Sequence, residues 1–416
     1  MNYKNTLEFA RKLDKEDILK SYRDKFHVPL HDDNCEAIYM CGNSLGLQPK
    51  KVKKYVNQEL KDWAELGVGG HANAKTPWIP YHEFLSNSYA KIVGAKKNEV
   101  IAMNTLTVNL HLMMVSFYRP TKERYKIVIE EDAFPSDIYA VESQLSYHKL
   151  DIKKSLIKLK PRKGEDIIRN EDIQRLITQE GDDIALIMLG GVNYYTGQVF
   201  DMKEITQIAQ KKGIVVGFDL AHAAGNIELS LNAWNVDFAV WCTYKYLNSG
   251  PGSIAGAFIH ERHHNSGLPR FAGWWGHNKQ TRFKMPDSFD PILTAEGWQL
   301  SNPPILSLAS ILASMQVFNQ AGMANLIKKS NKLTGYLSYL LSTIETENIE
   351  VITPDSRGCQ LSIRVKNSNK ELFEKIRKRG IIADWREPDV IRVAPVPLYN
   401  SFEDVFQFYT ILSENI

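Results

Sequence analysis

At 416 residues the chain exceeds what one hydrophobic core sustains, about 250 to 300 residues, so two domains are expected. Hydrophobic residues at 44% and charged residues at 24% describe an ordinary folded protein, which excludes disordered and fibrous classes. Lys plus Arg at 51 against Asp plus Glu at 48 leave a formal charge of +3, too little for a protein whose main partner is nucleic acid. No apolar run approaches the roughly 18 residues that a membrane span needs, and the N-terminus is charged and amphipathic rather than continuously apolar as a signal peptide would be. Cys35, Cys41, Cys242 and Cys359 form no C-x-x-C pair, which argues against a zinc site or a disulfide framework. They read as reduced, mostly buried thiols of a cytoplasmic protein.

Taken in chain order, residues 1–45 hold one helix and an irregular segment, too little for a core, and are expected to pack as an arm on the rest. Residues 46–303 form the large domain. Within it, Asn104 to Phe117, Asn170 to Gln179 and Asp201 to Lys212 carry helical periodicity, the last two with Asn170 and Asp201 as N-caps. Apolar runs rich in β-branched residues at Lys126 to Glu131, Asp183 to Leu189, Ile214 to Asp219, Val236 to Trp241 and Ile254 to His260 read as strands. Alternation of the two predicts an α/β fold with a mainly parallel central sheet flanked by helices on both faces. The Pro303–Pro304 pair opens a long amphipathic helical region reaching about Thr346. Beyond it, strands at Glu350 to Thr353, Cys359 to Val365 and Val390 to Val396, a helix at Lys370 to Lys378 and a last helix from Phe402 predict a smaller α+β domain, residues 304–416.

Residues Gly217 to Gly256 carry the strongest chemical signal. Asp219 closes an apolar strand, and Lys245 follows the next strand in a turn shared with Tyr244, Tyr246 and Gly250. Strand ends of a parallel sheet line a crevice, and a lysine desolvated among aromatic residues is the amine that imine chemistry needs. An aspartate beside it can hold a pyridinium N–H, so the pair predicts a pyridoxal 5'-phosphate (PLP) enzyme. Thr105 and Thr107, at the start of the helix following Asn104, offer a phosphate site at unpaired N–H groups. Phe134 offers an aromatic face to the cofactor ring. The segment G-V-G-G-H at Gly67 to His71 lacks the dinucleotide spacing, and no phosphate-loop or nucleophile-elbow motif occurs. His260, His263 and His264 match no zinc motif and read as a solvated helix end.

Together the segments YMCGNSLGLQP, NTLTVNLHLM, AFPSD, GVNYYTGQ, GFDLAHAAGN, WCTYKYLNSGPG, GWWGH, SNPPIL and IRVAPVPLYN resemble the kynureninases, fold-type I PLP enzymes of the aminotransferase class V group. The resemblance spans nearly the whole chain and implies hydrolysis of L-kynurenine, or its 3-hydroxy form, to anthranilate (or 3-hydroxyanthranilate) and L-alanine. It implies that Lys245 carries the cofactor and moves the substrate's α-proton, and that Asp219 pairs with the ring nitrogen. Leu106 and Thr107 would meet the phosphate, Phe134, Pro135, Ser136 and Asp137 would line the ring, and His222 would stand beside Asp219. Tyr244 would reach the phosphate and relay a proton. Trp274 and Asn302 would arrive from the partner of a homodimer. Arg392 would clamp the substrate carboxylate, and His71, Ser301 and Asn302 would bind the aromatic end. One departure is Gly190, where relatives carry a Ser or Thr that contacts the cofactor. A cysteine desulfurase would need a reactive loop cysteine, whereas Cys359 begins an apolar run and reads as a buried thiol. An aminotransferase fits the motif set less well, and a silent binding protein would not be expected to keep Asp219, Lys245 and Arg392.

Overall fold

The computed structural model of the chain describes residues 2–32, 34–366 and 370–416. Seven strands form the central sheet: β1 (Val100–Ala102), β2 (Lys126–Glu130), β3 (Leu156–Leu159), β4 (Ile184–Gly190), β5 (Val215–Asp219), β6 (Phe238–Trp241) and β7 (Gly256–Ile259). Their spatial order is β1-β7-β6-β5-β4-β2-β3, with only β7 running against its neighbours. The five predicted strands are all present within a residue or two. Strands β1 and β3 were not expected: β1 holds only three residues, and in β3 Lys158 interrupts the apolar run.

Alternation along the strands explains why the sheet is covered on both sides. Val128, Ile187, Leu189, Val216, Phe218, Ala239 and Trp241 enter one core, while Ile127, Ile129, Leu186, Met188, Phe238, Val240 and Ala257 enter another. Successive side chains of a strand point to opposite faces, so a wholly apolar strand requires a partner layer on each. Helix Leu106–Phe117 starts two residues later than its period suggested, after Asn104 adopts a left-handed backbone. Asp201 caps helix Met202–Lys211 by accepting from Glu204 N at 2.9 Å. Asn170 does not cap: helix Asn170–Glu180 begins on it, with Arg169 at the cap position and no side-chain bond.

The long helical region is two helices, Ile305–Ala321 and Met323–Ser342, parted at Gly322, whose φ of 76° no continuous helix admits. The first is buried nearly all round rather than amphipathic; Leu308, Ile311, Met315 and Phe318 join the core of the central sheet. The second contributes Leu333, Tyr336, Leu337 and Leu340 to a separate core. That core lies under an antiparallel sheet of β8 (Ile349–Val351), β9 (Leu361–Val365), β10 (Asp384–Arg386) and β11 (Val390–Val393), ordered β8-β9-β11-β10. Helices Glu371–Lys378 and Phe402–Ser413 complete it. The N-terminal helix Leu7–Glu16 packs here, and the Asp14 carboxylate accepts from Phe402 N and Glu403 N at 2.7 and 2.9 Å, capping the last helix.

Two expectations need correction. His260 and His264 are buried rather than solvated, and His263 bonds to Asp237 at 2.8 Å, because the segment folds back under β7 onto buried carboxylates. Only Cys242 and Cys359 are buried, while Cys41 is half-buried and Cys35 exposed. Among the described residues no helix is long and apolar enough to cross a membrane.

Candidate active site

The parallel strands β2, β4, β5 and β6 all end on one edge of the sheet, and the loops beyond them line a cavity of about 110 Å³. Register makes the convergence exact in sequence terms: Gly190 stands opposite Asp219, and Asp219 opposite Val240. Lys245 lies in the turn after β6 and presents its amine to the cavity. Its Nζ donates to His222 Nε2 at 3.0 Å and lies 5.8 Å from the centre of the Phe134 ring. Burial, and then the charge of Lys245, hold His222 well below the usual imidazole range, so the ring is neutral and accepts that bond. Its Nδ1 is buried with no protein partner.

Asp219 is fixed by Ala221 N, which donates to Oδ1 at 2.6 Å. The carboxyl of Asp137 bonds to it from the helix Pro135–Tyr147, and Asp137 Oδ1 has no further partner. Burial raises both acids, and the nearby Asp219 and Glu130 charges raise Asp137 further, so Asp137 holds the proton and donates to Asp219. Pro135 at the first turn sets the helix start, where the missing N–H costs nothing. Leu106 and Thr107 open a second helix on the same cavity, and the hydroxyls of Thr107 and Ser136 meet at 2.8 Å. Thr105 occupies the cap position without a side-chain bond. Two helix N-termini with adjacent hydroxyls make an anion site. Tyr244 lines the cavity too, and burial pushes its phenol up, so it is a neutral donor.

An amine, a proton-sharing aspartate pair, an anion cradle and an aromatic wall fit PLP, whose aldehyde, ring nitrogen, phosphate and flat ring they match. The unpartnered Asp137 Oδ1 and His222 Nδ1 are the polar atoms that such a guest would satisfy.

Arg392 stands on β11, only 1% exposed. Nη2 donates to Asp384 Oδ2 at 2.6 Å and Nη1 to the Tyr194 carbonyl at 2.6 Å, while Nε has no partner. Tyr194 itself lines the cavity and packs edge-on against Phe134, with ring centres 5.4 Å apart. Arg386 shares the Asp384 oxygen at 3.0 Å. Sequence reading missed Asp384, Arg386, Tyr194 and Glu130. It also missed the reason for the second glycine in GNSLG: a Cβ on Gly46 would lie 2.3 Å from the Lys245 carbonyl oxygen, so the chain at Gly46 presses its bare backbone on the lysine turn.

Six expected residues do not line the cavity within one chain: Pro135 and Arg392, placed above, and Trp274, Ser301, Asn302 and His71. Trp274 is 41% exposed on a short helical turn, its Nε1 donating to the Arg282 carbonyl at 3.0 Å. Ser301 and Asn302 are exposed, and His71 packs edge-on against Trp78. Cys359 lies buried beneath the Ser330 hydroxyl at 3.3 Å, and burial pushes its thiol up to about 12, the opposite of a reactive thiolate. Among the described residues His82, Glu83 and Glu296 group with metal-ligand spacing, but Lys279 already bridges the two glutamates at 2.9 and 2.7 Å.

Comparison with known proteins follows the same lines. The model of the kynureninase C-terminal domain matches residues 326–412, and that of the DegT/DnrJ/EryC1/StrS aminotransferase family matches residues 80–229. The chain is 55% identical over 423 residues to the kynureninase of Flavobacterium psychrophilum, covering 100% of this chain and 99% of that one. It is 49% identical to the kynureninase of Rattus norvegicus, covering 97% and 92%. A solved C-DES mutant with glycine covalently linked to its PLP cofactor matches with TM-score 0.80 at 15% identity, over 95% of this chain and 99% of that one. A cysteine desulfurase from Thermococcus onnurineus matches with TM-score 0.78 at 18% identity, over 95% and 97%. Identity that low establishes a shared fold and nothing of the reaction.

Proposed function

The chain belongs to the kynureninase family, PLP-dependent hydrolases that cleave kynurenine in tryptophan catabolism, and we propose that the cavity around Lys245 is where this chain does so. The observation that carries the reading is the amine of Lys245, held 3.0 Å from a neutral His222 in the same cavity as the Asp137–Asp219 pair. Bound there, PLP supplies an electron sink for charge developing on the substrate.

The protein's own groups do the rest. Lys245 would hold the cofactor, and its amine is the base that takes the substrate's α-proton; His222 keeps that amine in place. Asp219, backed by the Asp137 proton, would hold the ring N–H, while Leu106, Thr107 and Ser136 would receive the phosphate and Phe134 and Pro135 would wall the ring. Arg392, immobilised by Asp384 and Tyr194, keeps Nε free for the substrate α-carboxylate. Water adds to the side-chain ketone, the Cβ–Cγ bond breaks, and Tyr244 delivers the proton that completes alanine. Its neutral phenol suits that duty.

The working unit is a homodimer in which Trp274 and Asn302 complete the partner's cavity, with His71 and Ser301 meeting the aromatic end of kynurenine or 3-hydroxykynurenine. Support comes from the exposure of Trp274, Ser301 and Asn302, and from exposed apolar residues near them or His71 in sequence, Phe271, Phe283, Met285 and Val68. A division into an arm (1–45), a large domain (46–303) and a small domain (304–416) would put Lys245 and Arg392 on different bodies, with helix Ile305–Ala321 packing back into the core of the central sheet, and Cys41, Cys242 and Cys359, outside any disulfide, suit a cytoplasmic enzyme. The test is spectroscopic: purified protein should show a visible PLP band that borohydride abolishes. A Lys245→Ala protein that keeps the borohydride-sensitive band sinks the assignment of the lysine.

A further inference from the structure

Glu130 lines the same cavity as Asp137, Asp219 and Lys245, yet the chemistry above gives it no task. It ends β2, next to β4 in the sheet, and at the end of β4 stands Gly190, opposite Asp219. Glu130 Oε1 accepts from Gly190 N at 3.0 Å. A Cβ built on Gly190 would lie 3.0 Å from that same oxygen and 3.3 Å from the Val192 carbonyl oxygen. The carboxyl therefore occupies the room that a side chain at position 190 would take. Glycine and acid form one unit, in which the bare α-carbon lets Glu130 settle against the cavity edge.

We propose that Glu130 is a positioning residue of the cofactor pocket: it fills the place of a side chain at Gly190 and sets the electrostatic potential at the Asp137–Asp219 pair, and through that pair the proton affinity of the bound cofactor. The inference rests on the reading of Asp219 as partner of the ring nitrogen. On the cavity side Glu130 faces Asp137, Asp219, His222, Tyr244 and Lys245. On its other side a smaller cavity holds Asp132, Glu165, Asp166 and Tyr195. Glu165 and Asp166 are already paired with Arg169 and Arg364, and Asp132 is exposed, so the acids whose charge Glu130 feels most are the two aspartates. Burial, with the Asp219 charge adding to it, pushes the Glu130 carboxyl up to about 7 against the pull of the Gly190 N–H. It therefore changes charge near neutral pH, and when ionised it adds negative potential that tightens the hold of its neighbours on their protons.

The readout is the pH midpoint of the visible absorbance of protein reconstituted with PLP, without substrate. Glu130→Gln keeps the shape and an acceptor for Gly190 N but removes the charge. The midpoint should fall by about one pH unit, the size that one charge several ångströms away through protein supplies. A midpoint equal to that of the unaltered protein overturns the proposal, since a purely structural role would leave it in place. Gly190→Ser serves where Glu130→Gln does not fold: its side chain meets Glu130 Oε1 and displaces the carboxyl, so the midpoint should move the same way. An unchanged midpoint contradicts the role of Glu130. Absence of any visible PLP band in the unaltered protein would instead contradict the Lys245 reading, and the inference would fall with it.

Discussion

At the ends of β2, β4 and β5, three carboxyls share a cavity with Lys245, whereas on the C-terminal sheet two arginines share one aspartate. Both regions crowd like charges into buried space, and they relieve the crowding differently. A carboxyl can take a proton, so burial lifts Glu130, Asp137 and Asp219 until protons are shared among them. A guanidinium keeps its charge, so Arg392 must be held by Asp384 and the Tyr194 carbonyl. The first region is thereby adjustable by pH and suits proton transfer; the second is fixed and suits anchoring an anion.

That contrast can be broken at its rigid side first. Asp384→Asn leaves two guanidiniums without their counter-ion, and should cost about 4 kcal/mol of stability by thermal or denaturant unfolding. A loss below about 1 kcal/mol would mean that the arginines hold themselves without it. Arg392→Ala should lower kcat/KM for kynurenine by about two to three orders of magnitude with PLP still bound, since a charged hydrogen bond to the substrate is lost. An unaffected KM would count against the carboxylate role. The smallest effect belongs to Cys359→Ala, expected to cost about 1 kcal/mol of packing and to leave turnover within about twofold. Loss of activity there would revive a thiol mechanism.

Much of the acid-rich region was legible in the sequence because its signals are local. Asp219 ends an apolar strand, Lys245 sits in an aromatic turn, and the strand periods that position them need only a few residues each. Glu130 escaped notice although it too is a charge ending an apolar strand, because its partner Gly190 lies in another strand. The pair Asp384 and Arg392 are opposite one another across a hairpin, a cross-strand charge pair that the turn E-P-D between them would have disclosed. The resemblance brought in Trp274 and Asn302, which no single chain gathers at Lys245. The break at Gly322 was obscured by apolar residues on both sides of it. The pairing of His260 with Glu99 and of His263 with Asp237 depends on contacts distant in sequence.

The most direct test follows products. Purified protein loaded with PLP and given L-kynurenine should release fluorescent anthranilate and equimolar alanine, and Lys245→Ala should release neither. Cleavage by Lys245→Ala at the rate of the unaltered protein, or release of sulfide from cysteine with no anthranilate from kynurenine, would contradict the assignment of this cavity.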